Sequence, residues 1–273
     1  MKIVKLETTL KAENNIWLPD FLGSTLRGAL ISRLSKKYCT SKNLECRQCK
    51  NHICINKQLF NNWDETQGNN TSANPIIINA KTLHNPSNQI ELEIILLGSA
   101  VIYSEIIANT LEEGLIIKNK ELFVATDVDT TIIDLDSIEN KYSSGKIKVS
   151  LQSQTSLPSS MMGLDFKQFI RAILIRYKAV GEILGLDMNY SYKELTESAN
   201  DKVSLENKSI NIKELVRKSS RTDKKNTVPC IVGELVYSGD FSDYYKYLNI
   251  IEYLNMGKWC TMGLGKINIE EIK

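Results

Sequence analysis

The chain has 273 residues, 42% of them hydrophobic and 24% charged, which is the composition of a globular protein with enough apolar material for one large or two ordinary domains. Its 34 basic and 32 acidic side chains leave a net charge of only +2, so attraction to a polyanion has to come from local clusters rather than from the overall field. No run of 18 apolar residues occurs, and Met1 to Leu6 alternates and reads as a strand rather than as the apolar core of a secretory leader, which predicts a cytoplasmic protein.

In chain order, residues 2 to 10 read as a strand. Ser24 is placed to cap a helix in which Leu26, Ala29, Leu30 and Leu34 recur at helical spacing, with Arg33, Lys36 and Lys37 forming a basic stripe. The bland account of that stripe is a solvated helix face. Cys39, Cys46, Cys49 and Cys54 follow as C-x6-C-x2-C-x4-C, a knuckle able to clasp tetrahedral zinc at a structural site; the alternative is scattered thiols in a reducing compartment. His52 lies inside the same cluster, and the only other histidine, His84, falls in a polar turn.

Residues 61 to 75 are polar and read as a surface loop. Strands are predicted at Glu91 to Leu97, Glu121 to Ala125 and Thr130 to Leu135, with a helix from Ser104 to Glu112 that ends at Gly114. The faultless alternation of Lys146 to Leu151 opens a second unit. Phe166, Phe169, Ile170, Ile173, Leu174, Tyr177 and Leu184 then mark one face of a long helix, with Gly185 just beyond its end. Residues 186 to 213 are polar and carry no clear period. A strand from Cys230 to Gly239, a helix from Ser242 to Asn255 and a strand from Lys266 to Ile272 close the chain.

Two stretches look made for phosphate. Arg217, Lys218, Arg221, Lys224 and Lys225 stand against one acid, Asp223, among hydroxyl side chains, a composition that either tracks a nucleic-acid backbone or forms a solvated loop. In Gly257-Lys258-Trp259-Cys260-Thr261-Met262-Gly263-Leu264-Gly265-Lys266, glycines beside two lysines predict a loop whose free N–H groups and ammonium groups face an anionic chain. Phosphate-loop, nucleophile-elbow and dinucleotide fingerprints are absent from the sequence. Carboxylate clusters for two metals are also lacking, Asp127-Val128-Asp129 reading as an ordinary acidic loop.

Four segments together carry a family resemblance: Leu18-Pro19-Asp20-Phe21-Leu22-Gly23-Ser24-Thr25-Leu26-Arg27-Gly28-Ala29-Leu30, the cysteine cluster running into Leu59-Phe60, Leu96-Leu97-Gly98-Ser99-Ala100, and the terminal glycine-rich loop. In this order they resemble the CRISPR-associated RAMP-superfamily endoribonuclease that processes precursor CRISPR RNA. The resemblance implies an α+β chain of two tandem ferredoxin-like, RNA-recognition-type domains, at 1–142 and 143–273, with a cysteine-rich insertion at about 39–60. It also implies a cleft between the domains for repeat RNA, and metal-independent cleavage by the 2′-hydroxyl to leave 2′,3′-cyclic phosphate and 5′-hydroxyl ends.

On that resemblance His52 is the general acid or base, Lys37 or Lys36 the charge stabiliser and Tyr38 an aligning donor. Lys258, Thr261, Gly263, Gly265 and Lys266 bind RNA, joined by Arg217, Arg221, Lys224 and Lys225. No cofactor is needed for catalysis, zinc having only a structural role. The partners implied are CRISPR repeat RNA, as precursor and product, and CRISPR effector-complex proteins; the protein itself is a monomer or homodimer. A second reading is a non-catalytic RAMP-type subunit that binds CRISPR RNA, since the first helix contains no histidine. A third is a zinc-stabilised interaction protein without an RNA role.

Overall fold

The computed structural model describes residues 1–41, 49, 51, 53–60, 73–118, 121–139, 141–188, 190–218 and 225–272, without the side chains of 217, 218, 225 and 226. The chain forms two compact units, Met1–Asp134 with Ile183–Gly185, and Leu135–Glu182 with Leu186–Lys273.

The first unit runs β1 (Lys2–Ile16), α1 (Leu22–Tyr38), α2 (Ile55–Phe60), β2 (Ile76–Lys81), β3 (Ser87–Leu97), α3 (Ser104–Glu112), β4 (Leu115–Ile117), β5 (Glu121–Ala125) and β6 (Asp129–Asp134). Its sheet has the order β2-β3-β1-β5-β4, and β6 also pairs with β1. β5 and β6 share one edge of β1: Leu10 and Lys11 face Ala125 and Val124, whereas Lys2 to Glu7 face Asp134 to Asp129. Taken as one position, they complete a strand-helix-strand-strand-helix-strand unit whose first strand lies between its third and its last.

Alternation does the packing. Val4, Leu6 and Leu10 of β1 and Ile90, Leu92, Ile94 and Leu96 of β3 point to one face, and α1 lays Leu22, Leu26, Leu30 and Leu34 against it with α3's Ile107 and Leu111. α1 starts earlier than Ser24 allows: Phe21 occupies the cap position, and the Ser24 hydroxyl donates back to the Phe21 carbonyl at 3.4 Å, so it caps nothing. β2 was not expected, because Ile76-Ile77-Ile78 is buried on both faces and shows no alternation.

The second unit runs β7 (Ser144–Thr155), α4 (Phe166–Leu184), α5 (Tyr192–Glu197), α6 (Ala199–Lys202), β8 (Val203–Lys218), β9 (Lys225–Asp240), α7 (Tyr245–Leu254) and β10 (Ile267–Ile272). The antiparallel sheet order is β10-β7-β9-β8, which repeats the connectivity of the first unit. Its core is aromatic. Phe166 meets Tyr237 at 5.3 Å and Tyr244 at 5.0 Å between ring centroids, both edge to face, and the buried Tyr237 hydroxyl donates to the Leu164 carbonyl at 2.7 Å.

The polar stretch 186 to 213 contains α5, α6 and much of β8. β8 is an edge strand that exposes most of its side chains, so its conformation comes from fifteen residue pairings with β9 and not from a buried face of its own. Past the last β7 partner, Thr155 opposite Ile231, β8 and β9 continue as a two-stranded ribbon to Lys218 opposite Lys225. Among the described residues no helix is long and apolar enough to cross a membrane.

Candidate active site

The first cluster of expected site residues sits at the C-terminal end of α1. Lys36 and Lys37 occupy its last turn, where the helix dipole favours cations, and the Cys39 N–H closes the helix on the Ser35 carbonyl at 3.1 Å. The buried Asn56 folds α2 back on this end: its amide donates to the Ser35 hydroxyl at 2.7 Å and to the Ile31 carbonyl at 3.3 Å. Arg27 fixes the other end of α2, donating to the Phe60 carbonyl at 3.0 Å with its guanidinium 5.4 Å from the Phe60 ring centre. The start of α2 is thereby brought beside the end of α1.

The basic stripe of α1 is not simply solvated. Lys37 donates to Oε1 of Glu113, immediately after α3, and Arg33, one turn earlier, donates to Oε2 at 3.4 Å and to the Glu113 carbonyl at 3.3 Å. Hydrogen bonding and charge attraction from Glu113, with a smaller contribution from Tyr38, hold the Lys37 ammonium above its ordinary pKa despite some desolvation. Lys37, followed by Arg33, holds the Glu113 carboxyl below its own. Lys37 Nζ is 5.5 Å from the centre of the Tyr38 ring, so cation and phenol lie side by side. Lys36 is exposed and makes no ion pair among the described residues.

His52 and Cys46 lie outside the described residues. Cys39, Cys49 and Cys54 are free thiols, and no group of three or more histidine, cysteine or acidic side chains among the described residues could hold a metal. The expected four-thiolate zinc site therefore has no counterpart there. The Cys49 thiol is drawn below its ordinary pKa by the Asn51 N–H, the Ser41 hydroxyl and the Lys57 charge, against desolvation.

The second cluster is the loop from Asn255 to Lys266, between α7 and β10. Asn255 ends the helix with φ 58°, its buried amide donating to the Leu264 carbonyl at 3.0 Å. The loop then folds onto β7 and the residues after it. Lys258 N–H donates to Ser156 O at 2.8 Å, Gly265 N–H to Gln154 O at 3.0 Å and Lys266 N–H to the Ser153 hydroxyl at 2.9 Å, while Met256 N–H donates to Gly265 O at 2.7 Å. A 3-10 turn, Cys260–Met262, uses the N–H groups of Met262 and Gly263.

This corrects the expectation of free N–H groups: many are spent, some within the loop and others on the segment from Ser153 to Ser156. The glycines serve close approach instead. A Cβ on Gly265, at φ +76°, would come within 1.8 Å of the Met256 carbonyl oxygen, and one on Gly257 within 2.3 Å of that of Ser156. Lys258 is exposed at the rim, with Thr261 and Lys266 half-buried. Beneath, the buried Arg176 of α4 donates to the Leu254 carbonyl at 2.9 Å and its charge acts on Cys260, a contribution that nothing in the sequence of α4 had signalled.

The third cluster only partly falls within view. Backbone pairing puts Arg217 opposite Asn226, and Lys225 opposite Lys218, at the tip of the β8–β9 ribbon; Arg221 and Lys224 lie outside the described residues.

Two antiparallel sheets of one connectivity, each covered by helices, with a glycine-locked loop ahead of the last strand, define an α+β protein. A family model described as an N-terminal domain matches residues 1–146, and the model of the CRISPR-associated endoribonuclease Cas6 matches residues 147–267. The C-terminal part of the chain thus matches the domain of the CRISPR-associated endoribonuclease Cas6.

Solved structures share the fold over the whole chain. Thermus thermophilus Cas6 has a TM-score of 0.62 at 11% identity over 99% of this chain and 98% of its own. A Cas6 product complex has 0.59 at 13% over 99% and 100%. The Cas6-related protein from Pyrococcus furiosus has 0.56 at 13%, over 100% of both chains. No curated protein matches by sequence.

Proposed function

We propose that this protein cuts precursor CRISPR RNA within its repeats by attack of the 2′-hydroxyl on the adjacent phosphate, leaving 2′,3′-cyclic phosphate and 5′-hydroxyl ends. The observation that carries this reading is the pairing of Lys37 with Tyr38 at the end of α1, a fixed cation beside a phenol. Such a pair suits a reaction in which alignment and charge stabilisation are the main tasks. Lys37 offsets the charge that builds on the phosphorane, Tyr38 aligns a phosphate oxygen, and His52 takes the 2′-proton or protonates the 5′-oxygen as it leaves. Both units are read as ferredoxin-like, which their shared connectivity supports.

Lys258 and Lys266, on a loop held by β7 and Ser156, supply charge for the RNA backbone, and Arg217, Arg221, Lys224 and Lys225 are read as further contacts to it. Relatives described as a product complex, a substrate-mimic complex and a RAMP protein binding different RNA substrates support RNA as the partner. Zinc enters only as a structural ion of the cysteine segment, a role that a zinc assay on protein prepared without chelator checks. Incubation of purified protein with repeat RNA in EDTA tests the function: one cut with a cyclic phosphate end is expected, and a 3′-hydroxyl product contradicts it. Tight repeat binding without any cut would instead establish the non-catalytic subunit, the reading favoured by an α1 that has no histidine.

A further inference from the structure

The described cations at the end of α1 are not equivalent. Lys36 is exposed and has no ion-pair partner among the described residues, whereas Lys37 and Arg33 converge on the two carboxylate oxygens of Glu113. Glu113 is itself firmly placed. Its N–H closes α3 on the Asn109 carbonyl at 3.0 Å, and Gly114, at φ +90°, lies so close to β5 that a Cβ there would come within 2.7 Å of Leu122 and 3.0 Å of the Phe123 carbonyl oxygen.

As a surface ion pair this arrangement would contribute little to stability, since exposed pairs are worth about 0–1 kcal/mol and are screened by salt. Its consequence is geometric. Arg33 bonds both the main chain and the side chain of Glu113, so the carboxylate is oriented by one cation and orients the other. A lysine side chain otherwise samples many rotamers on its four-carbon stem. Here its ammonium is fixed between the Glu113 carboxylate and the Tyr38 ring.

We propose that Glu113 is a positioning residue for RNA cleavage, holding Lys37, and through it Tyr38, in the attitude in which they meet the scissile phosphate. This rests on the reading of Lys37 and Tyr38 given under Proposed function. Glu113 touches neither the RNA nor the reacting atoms. As an acid beside a polyanion it works slightly against binding, so its contribution shows in the chemical step.

The test compares Glu113→Gln, Glu113→Asp, Lys37→Ala and the double variant Glu113→Gln/Lys37→Ala, each by single-turnover cleavage at saturating protein, by repeat-RNA affinity and by thermal midpoint. Glu113→Gln is expected to slow the cut roughly 10- to 100-fold, the scale on which misplacement of a catalytic group acts. Its affinity should hold or tighten by up to about threefold as a negative charge is removed. The thermal midpoint should not move, Glu113→Asp should recover part of the rate, and the double variant should be no slower than Lys37→Ala, because the two changes remove one arrangement.

A Glu113→Gln protein that cuts at the native rate overturns the proposal, and one that cuts faster shows instead that the carboxylate competes with phosphate. Loss of affinity and of thermal midpoint together would reduce Glu113 to a structural part. An additive double variant would mean that it does not act through Lys37. Should Lys37→Ala itself cut at the native rate, the assignment of Lys37 falls and the role of Glu113 with it; a slow Lys37→Ala beside an unaffected Glu113→Gln removes only the latter.

Discussion

Replacing Gly265 by alanine tests whether the loop before β10 is a locked scaffold for RNA. At φ +76° a residue with a Cβ meets a conformational penalty of about 1–2 kcal/mol. The new methyl would lie 1.8 Å from the Met256 carbonyl oxygen, so the two segments must part by about 1.2 Å to reach 3.0 Å, the lower limit for such approaches. That movement breaks the 2.7 Å bond from Met256 N–H to Gly265 O and strains the 3.0 Å bond from Gly265 N–H to Gln154 O. At about 1 kcal/mol for each bond, the total loss is about 3–4 kcal/mol. A domain stable by about 5–15 kcal/mol survives that loss, so the variant should fold with a clearly lower urea midpoint. Repeat-RNA affinity, measured by fluorescence anisotropy, should fall at least about tenfold because the rim lysines are no longer pre-positioned. Native midpoint and native affinity together would refute the reasoning.

Gly28 is the control: it is an exposed glycine within α1, and a methyl group there would have nothing within 4 Å, so Gly28→Ala should raise stability by about 0.5–1 kcal/mol in urea without altering the cut. The double change Lys258→Ala/Lys266→Ala should weaken RNA binding and lower the slope of log affinity against log salt by about 0.7 for each phosphate no longer neutralised; an unchanged slope would mean that neither lysine meets the backbone. Burial holds the Glu252 carboxyl above its ordinary 4.5, even though the Ile269 N–H donates to it at 2.8 Å. With the folded value raised, its contribution to stability is intact below pH 4.5 and is lost as pH rises through the raised value. Glu252→Gln, which keeps an acceptor for Ile269, should therefore raise the thermal midpoint at about pH 7 and converge with the native protein near about pH 4; equal midpoints at both would contradict the burial argument.

What could be read from the sequence was whatever its own periodicity dictates. α4 runs from Phe166 to Leu184, the bounds its apolar face marks, and Gly185 follows at φ +64°. Lys146 to Leu151 forms the middle of β7, and the terminal loop lies between a helix and an edge strand. What escaped was set by partners distant in the chain. β8 shows no apolar alternation because it is shaped by β9, and β2 shows none because both its faces are covered. At the candidate site the residue types Lys36, Lys37 and Tyr38 were visible, but not that Glu113, 76 residues beyond Lys37, fixes one of the lysines. The N–H groups of Lys258 and Gly265 looked free because their acceptors, Ser156 and Gln154, belong to a distant segment of the chain.

The central claim is that the RNA's own sugar oxygen performs the attack. A set of repeat RNAs, each with a single 2′-deoxy nucleotide, incubated with the protein in EDTA tests it most directly. Cutting should vanish for the one RNA altered just 5′ of the scissile phosphate and persist for the rest, whereas cleavage of every RNA in the set would contradict the account.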